Sequence, residues 1–213
     1  VALAKVMKTS RVKDVGRGTT DFLATFHDLK NTNLDAFARY DGLTYWLTPG
    51  ARSKQNEESY LHITVALTDD LFPSLMLEPH YRSKQGELLL NHVTVVANGK
   101  AVLDRDLVGV QHVNSNVAIM ANGGYVRDPT PSQALHAAAR LYSVSEFKTF
   151  SPTEAEVTGL RSISKSTEVI IKLSGTNGEV TLPARDAKAF QEEVIRGLAI
   201  YDLLERTLRR PAA

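Results

Sequence analysis

Four histidines follow in close succession, His62, His80, His92 and His112. An imidazole changes charge near neutral pH and binds metals as the neutral ring, so a convergence of several on one sheet face would suit acid/base or metal chemistry. None of them pairs with another at the i, i+4 spacing of a zinc-binding helix, and no motif supplies an acidic partner. The commoner role for such residues is as ordinary side chains on half-exposed strands. Asp104 and Asp106, in "LDRDL", are two residues apart and face the same way on a strand, where they could share a cation or act as an acid pair. Solvated charges at a strand end are the more frequent outcome of that spacing, with Arg105 on the opposite face.

The aromatic run "LTYWLT" sets Tyr45 and Trp46, the only tryptophan, on opposite faces of one strand. One ring therefore points outward or lines a groove. Beside Tyr60 and Arg82 it would form a binding patch for a peptide, a sugar or an apolar ligand, whereas a core Trp with a solvent-facing Tyr follows the usual burial trend. The candidate binding residues are thus Tyr45, Trp46, Tyr60, His62, His80 and Arg82. No catalytic residue and no metal ligand is assigned. The chain holds no Gly-x-Ser-x-Gly elbow, no His-Glu-x-x-His helix and no dinucleotide fingerprint, and "NGGYV" lacks the helix and Lys-Ser/Thr ending of a phosphate loop. No cofactor is expected, and no stoichiometric transition metal.

These residues need a scaffold, and the strongest local signal for one is the two-residue turn. Asp41-Gly42, Asn98-Gly99, Asn122-Gly123 and Asn177-Gly178 each separate apolar runs, and such dipeptides tolerate the positive φ of the type I′ turns that close hairpins. A further reversal is expected over Arg82 to Glu87, "RSKQGE". The run "SYLHITVALT" alternates Leu61, Ile63, Val65 and Leu67 against Tyr60, His62, Thr64 and Thr68, a strand with one buried face. With "SLMLEPHYR" and "ELLLNHVTVVA" it reads as an antiparallel meander from Tyr60 to Asp106, Pro79 putting the middle segment at an edge or bulge. A turn at Asn98-Gly99 sets Val95 opposite Val102. A turn at Asn177-Gly178 sets Leu173 opposite Leu182 and Ser174 opposite Thr181. The two Asn-Gly hairpins share turn chemistry without being an internal repeat, because one continues into a strand and the other into a helix.

Two helices are predicted. "TPSQALHAAARLY" has Thr130 as N-cap, Pro131 at the first turn and Gln133 completing a capping box, for a helix near 131–142. The C-terminal segment repeats Phe190, Val194, Leu198, Tyr201, Leu204 and Leu208 at three- and four-residue spacing, for a helix near 186–210 capped by Asp186. "TTDFLATFHDLKN" fits a short helix capped by Thr19 or Thr20 or, as the preferred reading, a strand leading into the Asp41-Gly42 hairpin, and Gly50 to Ser59 reads as a mobile surface loop.

The fold class is α+β: one β-rich domain over 1–213, a predominantly antiparallel twisted sheet of about seven to ten strands, in its favoured form a curved half-barrel, with the long C-terminal helix packed on it. A chain of 213 residues with 43% hydrophobic content can bury such a core unaided. A formal charge of +1 gives no broad basic field, so nucleic acid is not an expected partner. No apolar run reaches the ~18 residues of a membrane-spanning helix. The absence of Cys removes disulfides, thiolate nucleophiles and Cys-based zinc sites together without fixing the compartment, and the start at Val1 fits an exported, periplasmic protein missing its signal segment, the preferred expectation, as well as a single domain taken from a longer chain. The functional expectation is a non-enzymatic binding or interaction protein of a bacterial cell envelope, holding a protein or small-molecule partner on the sheet or in a sheet–helix groove. The alternative is a small hydrolase or lyase using His and Asp residues assembled on the sheet. A pocket with His62 or His80 beside a carboxylate favours the enzyme; an open aromatic patch with solvated histidines favours binding.

Overall fold

The computed structural model describes residues 36–40, 44–49, 59–68, 73–121, 125–135 and 137–208. Its strands are β1 (Ala36–Tyr40), β2 (Thr44–Pro49), β3 (Tyr60–Thr68), β4 (Pro73–Ser83), β5 (Leu90–Ala97), β6 (Lys100–Asp106), β7 (Gln111–Met120), β8 (Tyr125–Arg127), β9 (Ala137–Phe147), β10 (Val169–Gly175) and β11 (Gly178–Thr181). The helices are α1 (Pro131–Leu135), α2 (Glu154–Ile163) and α3 (Ala184–Leu208). All pairing is antiparallel, and the fold is α+β with no closed barrel. The strands form two sheets, one of seven in the order β1-β2-β3-β4-β9-β7-β8 and one of four in the order β11-β10-β5-β6.

The division into two sheets corrects the expected meander. β3 and β4 pair as a hairpin, but β4 then pairs with β9, and β5 joins β10 and β6 in the other sheet. Arg82 to Glu87 is accordingly a crossing between sheets and not a hairpin turn. The physical reason lies at its end. The backbone N–H groups of Leu88, Leu89 and Leu90 donate to the Glu146 carboxylate at 2.9, 3.2 and 2.5 Å, and Leu89 adopts φ +55° to aim them. Successive amides in such a conformation form an anion-binding nest, and Glu146, on β9 and fully buried, fills it.

Pro79 also departs from expectation, since β4 lies inside the sheet. His80 pairs with Phe147 and Leu77 bridges Phe150, but between them Pro79 has no N–H to donate and only accepts from Lys148 N at 3.3 Å. The proline thus occupies a gap in an interior ladder.

Turn chemistry holds at Asn98 (φ +50°) and Gly99 (φ +77°). The register beyond it shifts by a bulge, so that Val95 faces Leu103 in place of Val102. α2 explains this, because a Cβ on its Gly159 would collide with the Val102 carbonyl, and only glycine lets the helix come this close. The other Asn-Gly hairpin turns at Thr176-Asn177, with Leu173 opposite Val180 and Ser174 opposite Glu179. That two-residue slip keeps every side chain on its expected face. It is set from outside the hairpin, since Thr176 N, Asn177 N and Asn177 Nδ2 donate to the carbonyls of Leu89, Leu88 and Glu87. The turns at Asp41-Gly42 and Asn122-Gly123 lie outside the described residues, although β1 pairs with β2 and β7 with β8 across them. The segment "TTDFLATFHDLKN" and the loop from Gly50 through residue 58 lie outside as well.

The helix near 131–142 is one turn only. Thr130 and Gln133 do form the expected capping bonds, but from Ala137 the chain is β9, paired with β7 along its whole length. Long-range pairing has overridden the helix propensity of "AAARLY". α3 begins at Ala184, two residues before the expected cap, with Asp186 in its first turn beside the positive helix end. It packs against β3, β4, β10 and α2, so it touches strands of both sheets. Phe190, Val194, Leu198 and Leu204 are buried as predicted, with Ala187 and Ile200 added, and Tyr201 packs at the margin of a core shared by both sheets and the helices α2 and α3. No helix among the described residues is long and apolar enough to cross a membrane.

Candidate functional site

Adjacent strands hold directly opposed residues about 5 Å apart, and this brings two of the predicted histidines together. The register sets Tyr60 of β3 opposite His80 of β4, and His80 opposite Phe147 of β9. Their rings follow as a row, with centroids 4.6 Å and 5.3 Å apart. One step along the hairpin His62 opposes Glu78. The even-numbered positions were expected to face solvent, yet His62, Thr64 and Ala66 are buried along with Ile63 and Val65 between them, with His62 only 2% exposed.

Each imidazole stands beside a carboxylate. His62 Nδ1 is 2.7 Å from Glu193 Oε2 on α3. A carboxylate only accepts, so Nδ1 carries the proton, and Nε2 is a buried atom with no hydrogen-bond partner. His80 Nδ1 lies 4.0 Å from Glu78 Oε1, beyond hydrogen-bond length, and both of its ring nitrogens are buried and unpartnered. Glu78 is better served: the Tyr60 hydroxyl donates to Oε1 at 3.3 Å and the Thr149 hydroxyl to Oε2 at 3.0 Å. The interaction with His80 holds its carboxyl below the usual range, against the opposing effect of burial, and Thr149 and the charge of His62 add to the lowering. Glu78 is therefore ionised at neutral pH, an anion with aromatic and imidazole neighbours.

Of the other predicted residues, Arg82 follows His80 on β4, and its backbone N–H donates to Ser59 Oγ at 2.9 Å. Tyr45 and Trp46 sit on β2, opposite Leu67 and Ala66 of β3, and their side chains lie outside the described residues. His92 does not join the others, because β5 belongs to the second sheet, and His112 is exposed on β7. Glu78, Thr149, Phe147 and Glu193 belong to the cluster without having been singled out. Glu78 stands within the quoted "SLMLEPHYR", two residues from His80, and the strand period places both on one face. Glu193 lies 131 residues from His62, and no local pattern signals the encounter. Among the described residues no group of three or more His, Asp or Glu is placed to hold a metal ion.

A cleft of about 480 Å³ opens elsewhere, between the start of β4 and the helices α2 and α3. Pro73, Leu75 and Val157 give it apolar walls, while Ser151, Glu154 and Tyr201 supply polar groups. Clefts of a few hundred Å³ with an apolar lining and a few polar groups are the common form of small-ligand sites. α2 forms its wall because Thr153 and Glu156 close a reciprocal capping box at the helix start. Glu156 also takes Arg105 Nε at 2.9 Å and Nη2 in a bidentate pair, which ties α2 to β6. Burial pushes the Glu156 pKa up, but the bonds from Arg105 and Thr153 outweigh it and leave it below the usual value.

In comparison with known proteins, the chain matches no family model, no curated protein and no solved structure.

Proposed function

We propose that this chain is a non-enzymatic binding protein whose ligand is a small molecule seated in the sheet–helix cleft between β4, α2 and α3. The observation that carries this reading is the cleft, with its volume of about 480 Å³ and its mixed lining. Leu75 and Val157 would cover an apolar part of the ligand, and Glu154 with the Ser151 hydroxyl would take hydrogen-bond donors from it. The ligand class is therefore a compact molecule with one apolar face and several donors.

The test is a fragment screen by amide chemical-shift mapping, with Thr158→Trp as the partner variant. Thr158 lines the cleft and is exposed, so a Trp there narrows the opening without entering the core. Hits are expected to move the amides of Leu75, Val157 and Tyr201, and the variant should weaken them at least tenfold, about 1.4 kcal/mol, at an unchanged melting temperature. Hits that shift other surfaces, or that bind the variant equally well, would overturn the proposal.

A second reading, a small hydrolase or lyase, is favoured by one specific observation. His62 and His80 are not solvated on an open patch but stand beside Glu193 and Glu78. The Glu193–His62 pair, with Nδ1 at 2.7 Å from the carboxylate, has the form of an oriented general base. In that case hits in the same screen would shift the imidazole signals of His62 and His80, and Glu193→Gln would change the His62 tautomer populations.

A further inference from the structure

The outer face of the four-stranded sheet carries a second imidazole–carboxylate group, unrelated to the cleft and to the His62 cluster. His92 of β5 lies opposite Asp106 of β6, and the neighbouring pair is Thr94 with Asp104. His92 Nδ1 is 2.8 Å from Asp106 Oδ1, and His92 Nε2 is 2.8 Å from Asp104 Oδ1 and 3.1 Å from Thr94 Oγ1. The Thr94 hydroxyl in turn donates to Asp104 at 3.1 Å. A neutral imidazole has one N–H, and ionised carboxylates only accept. Both 2.8 Å contacts can be hydrogen bonds together only when the ring carries both protons.

The position of this group gives it a consequence. His92–Asp106 is the last cross-strand pair of β5 and β6. Immediately beyond it Leu107 N donates to Asn91 O at 2.7 Å and its side chain is buried to 7% exposure, after which Val108 is 81% exposed and the chain leaves for β7. We propose that His92, Asp104 and Asp106 form a pH-operated clamp, in which the imidazolium bridges the two carboxylates and holds the end of β6 in the sheet, and loss of its proton frees that end.

The surroundings are consistent with this role. Facing His92 from β10 are Ser174, directly opposite, and Lys172, opposite Thr94. Lys172 is committed to Glu179 of β11 at 2.8 Å, and the Ser174 hydroxyl to the same carboxylate at 3.3 Å. Among the described residues the charges around His92 are therefore the two aspartates and one internally neutralised pair. Partial burial pulls the His92 pKa down, but the bonds to Asp106 and Asp104 outweigh it, and the net shift is upward. A raised folded-state pKa means that the clamp is complete below the pKa of an unfolded histidine and is lost as pH rises through the folded value. Above it, one ring N–H remains for two carboxylates that repel each other.

The experiment follows the His92 ring by NMR from acid to alkaline pH, together with hydrogen-exchange protection factors for Leu107 and, as control, Ile171 in the centre of the same sheet. The His92 midpoint should lie above that of a histidine in an unstructured peptide. Leu107 protection, corrected for intrinsic exchange, should fall several-fold through the same midpoint while that of Ile171 stays constant. In Asp104→Asn/Asp106→Asn the midpoint should return to the peptide value, and Leu107 protection should be low at every pH. A wild-type midpoint equal to the peptide's, or Leu107 protection indifferent to the titration, would overturn the clamp, and this wild-type arm stands even if the double variant fails to fold.

Discussion

Glu146 shows how far a single side chain can decide the layout of this protein. A fully buried carboxylate is costly unless its oxygens are saturated with donors, and three backbone N–H groups of residues 88–90 supply them. Glu146→Ala would leave these donors buried without an acceptor, at a cost of about 1–3 kcal/mol for an unsatisfied group. The variant is expected to lose on the order of 3 kcal/mol in urea unfolding, toward the upper end of that range. Glu146→Gln keeps an acceptor oxygen and should lose less. A loss well under 1 kcal/mol for the Ala variant would show that water satisfies the nest. Leu89, with its positive φ, marks the same spot in the backbone, and glycine at that position should relieve strain while keeping the bonds.

At the scale of elements, α3 behaves as part of the core. Its buried residues Ala187, Phe190, Val194, Leu198, Ile200 and Leu204 recur at helical spacing along a rod of ~37 Å, in one core cluster with β3, β4 and β10. Phe190 is 1% exposed, and Phe190→Ala is expected to cost about 3–5 kcal/mol, measured by chemical denaturation. A cost near zero would mean that the helix detaches without consequence. The contrast with α1 is instructive. Both segments carry good helix signals, but α3 buries a continuous stripe as a helix, whereas residues 137–147 satisfy more backbone by pairing with β7 and β4. A helix survives in this fold where its apolar stripe has a matching surface, and a capping box alone holds a single turn.

Across the whole molecule, the ionisable groups make stability depend on pH from both sides. The Glu78 pKa is depressed, chiefly by its interaction with His80, so its contribution is present above the ordinary carboxylate range and is lost as pH falls through the depressed value. The His92 pKa is raised, so its contribution is lost as pH rises. The urea midpoint is therefore expected to fall on the acid side in the wild type, and this acid limb should flatten in Glu78→Gln. An unchanged acid limb in that variant would remove Glu78 as its source.

Read alone, the sequence was sufficient for the fold class, for β3 as a strand though not for the burial of both its faces, for the turn at Asn98-Gly99 and for the stripe of α3, because each rests on a local period or a local φ requirement. It also placed Asp104 and Asp106 on one side of a strand. Only the tertiary structure decided what distant segments settle between them. It moved β5 and β6 into a second sheet through Glu146, turned "AAARLY" into β9, and bulged β6 at Val102 to admit α2 at Gly159. It brought Tyr60, His62 and His80 together but sent His92 to the other sheet, where its partners are Asp104 and Asp106. Glu193 reaches His62 across 131 residues. Such encounters depend on which surfaces bury together, and burial is a property of the assembled core that no window of neighbouring residues contains.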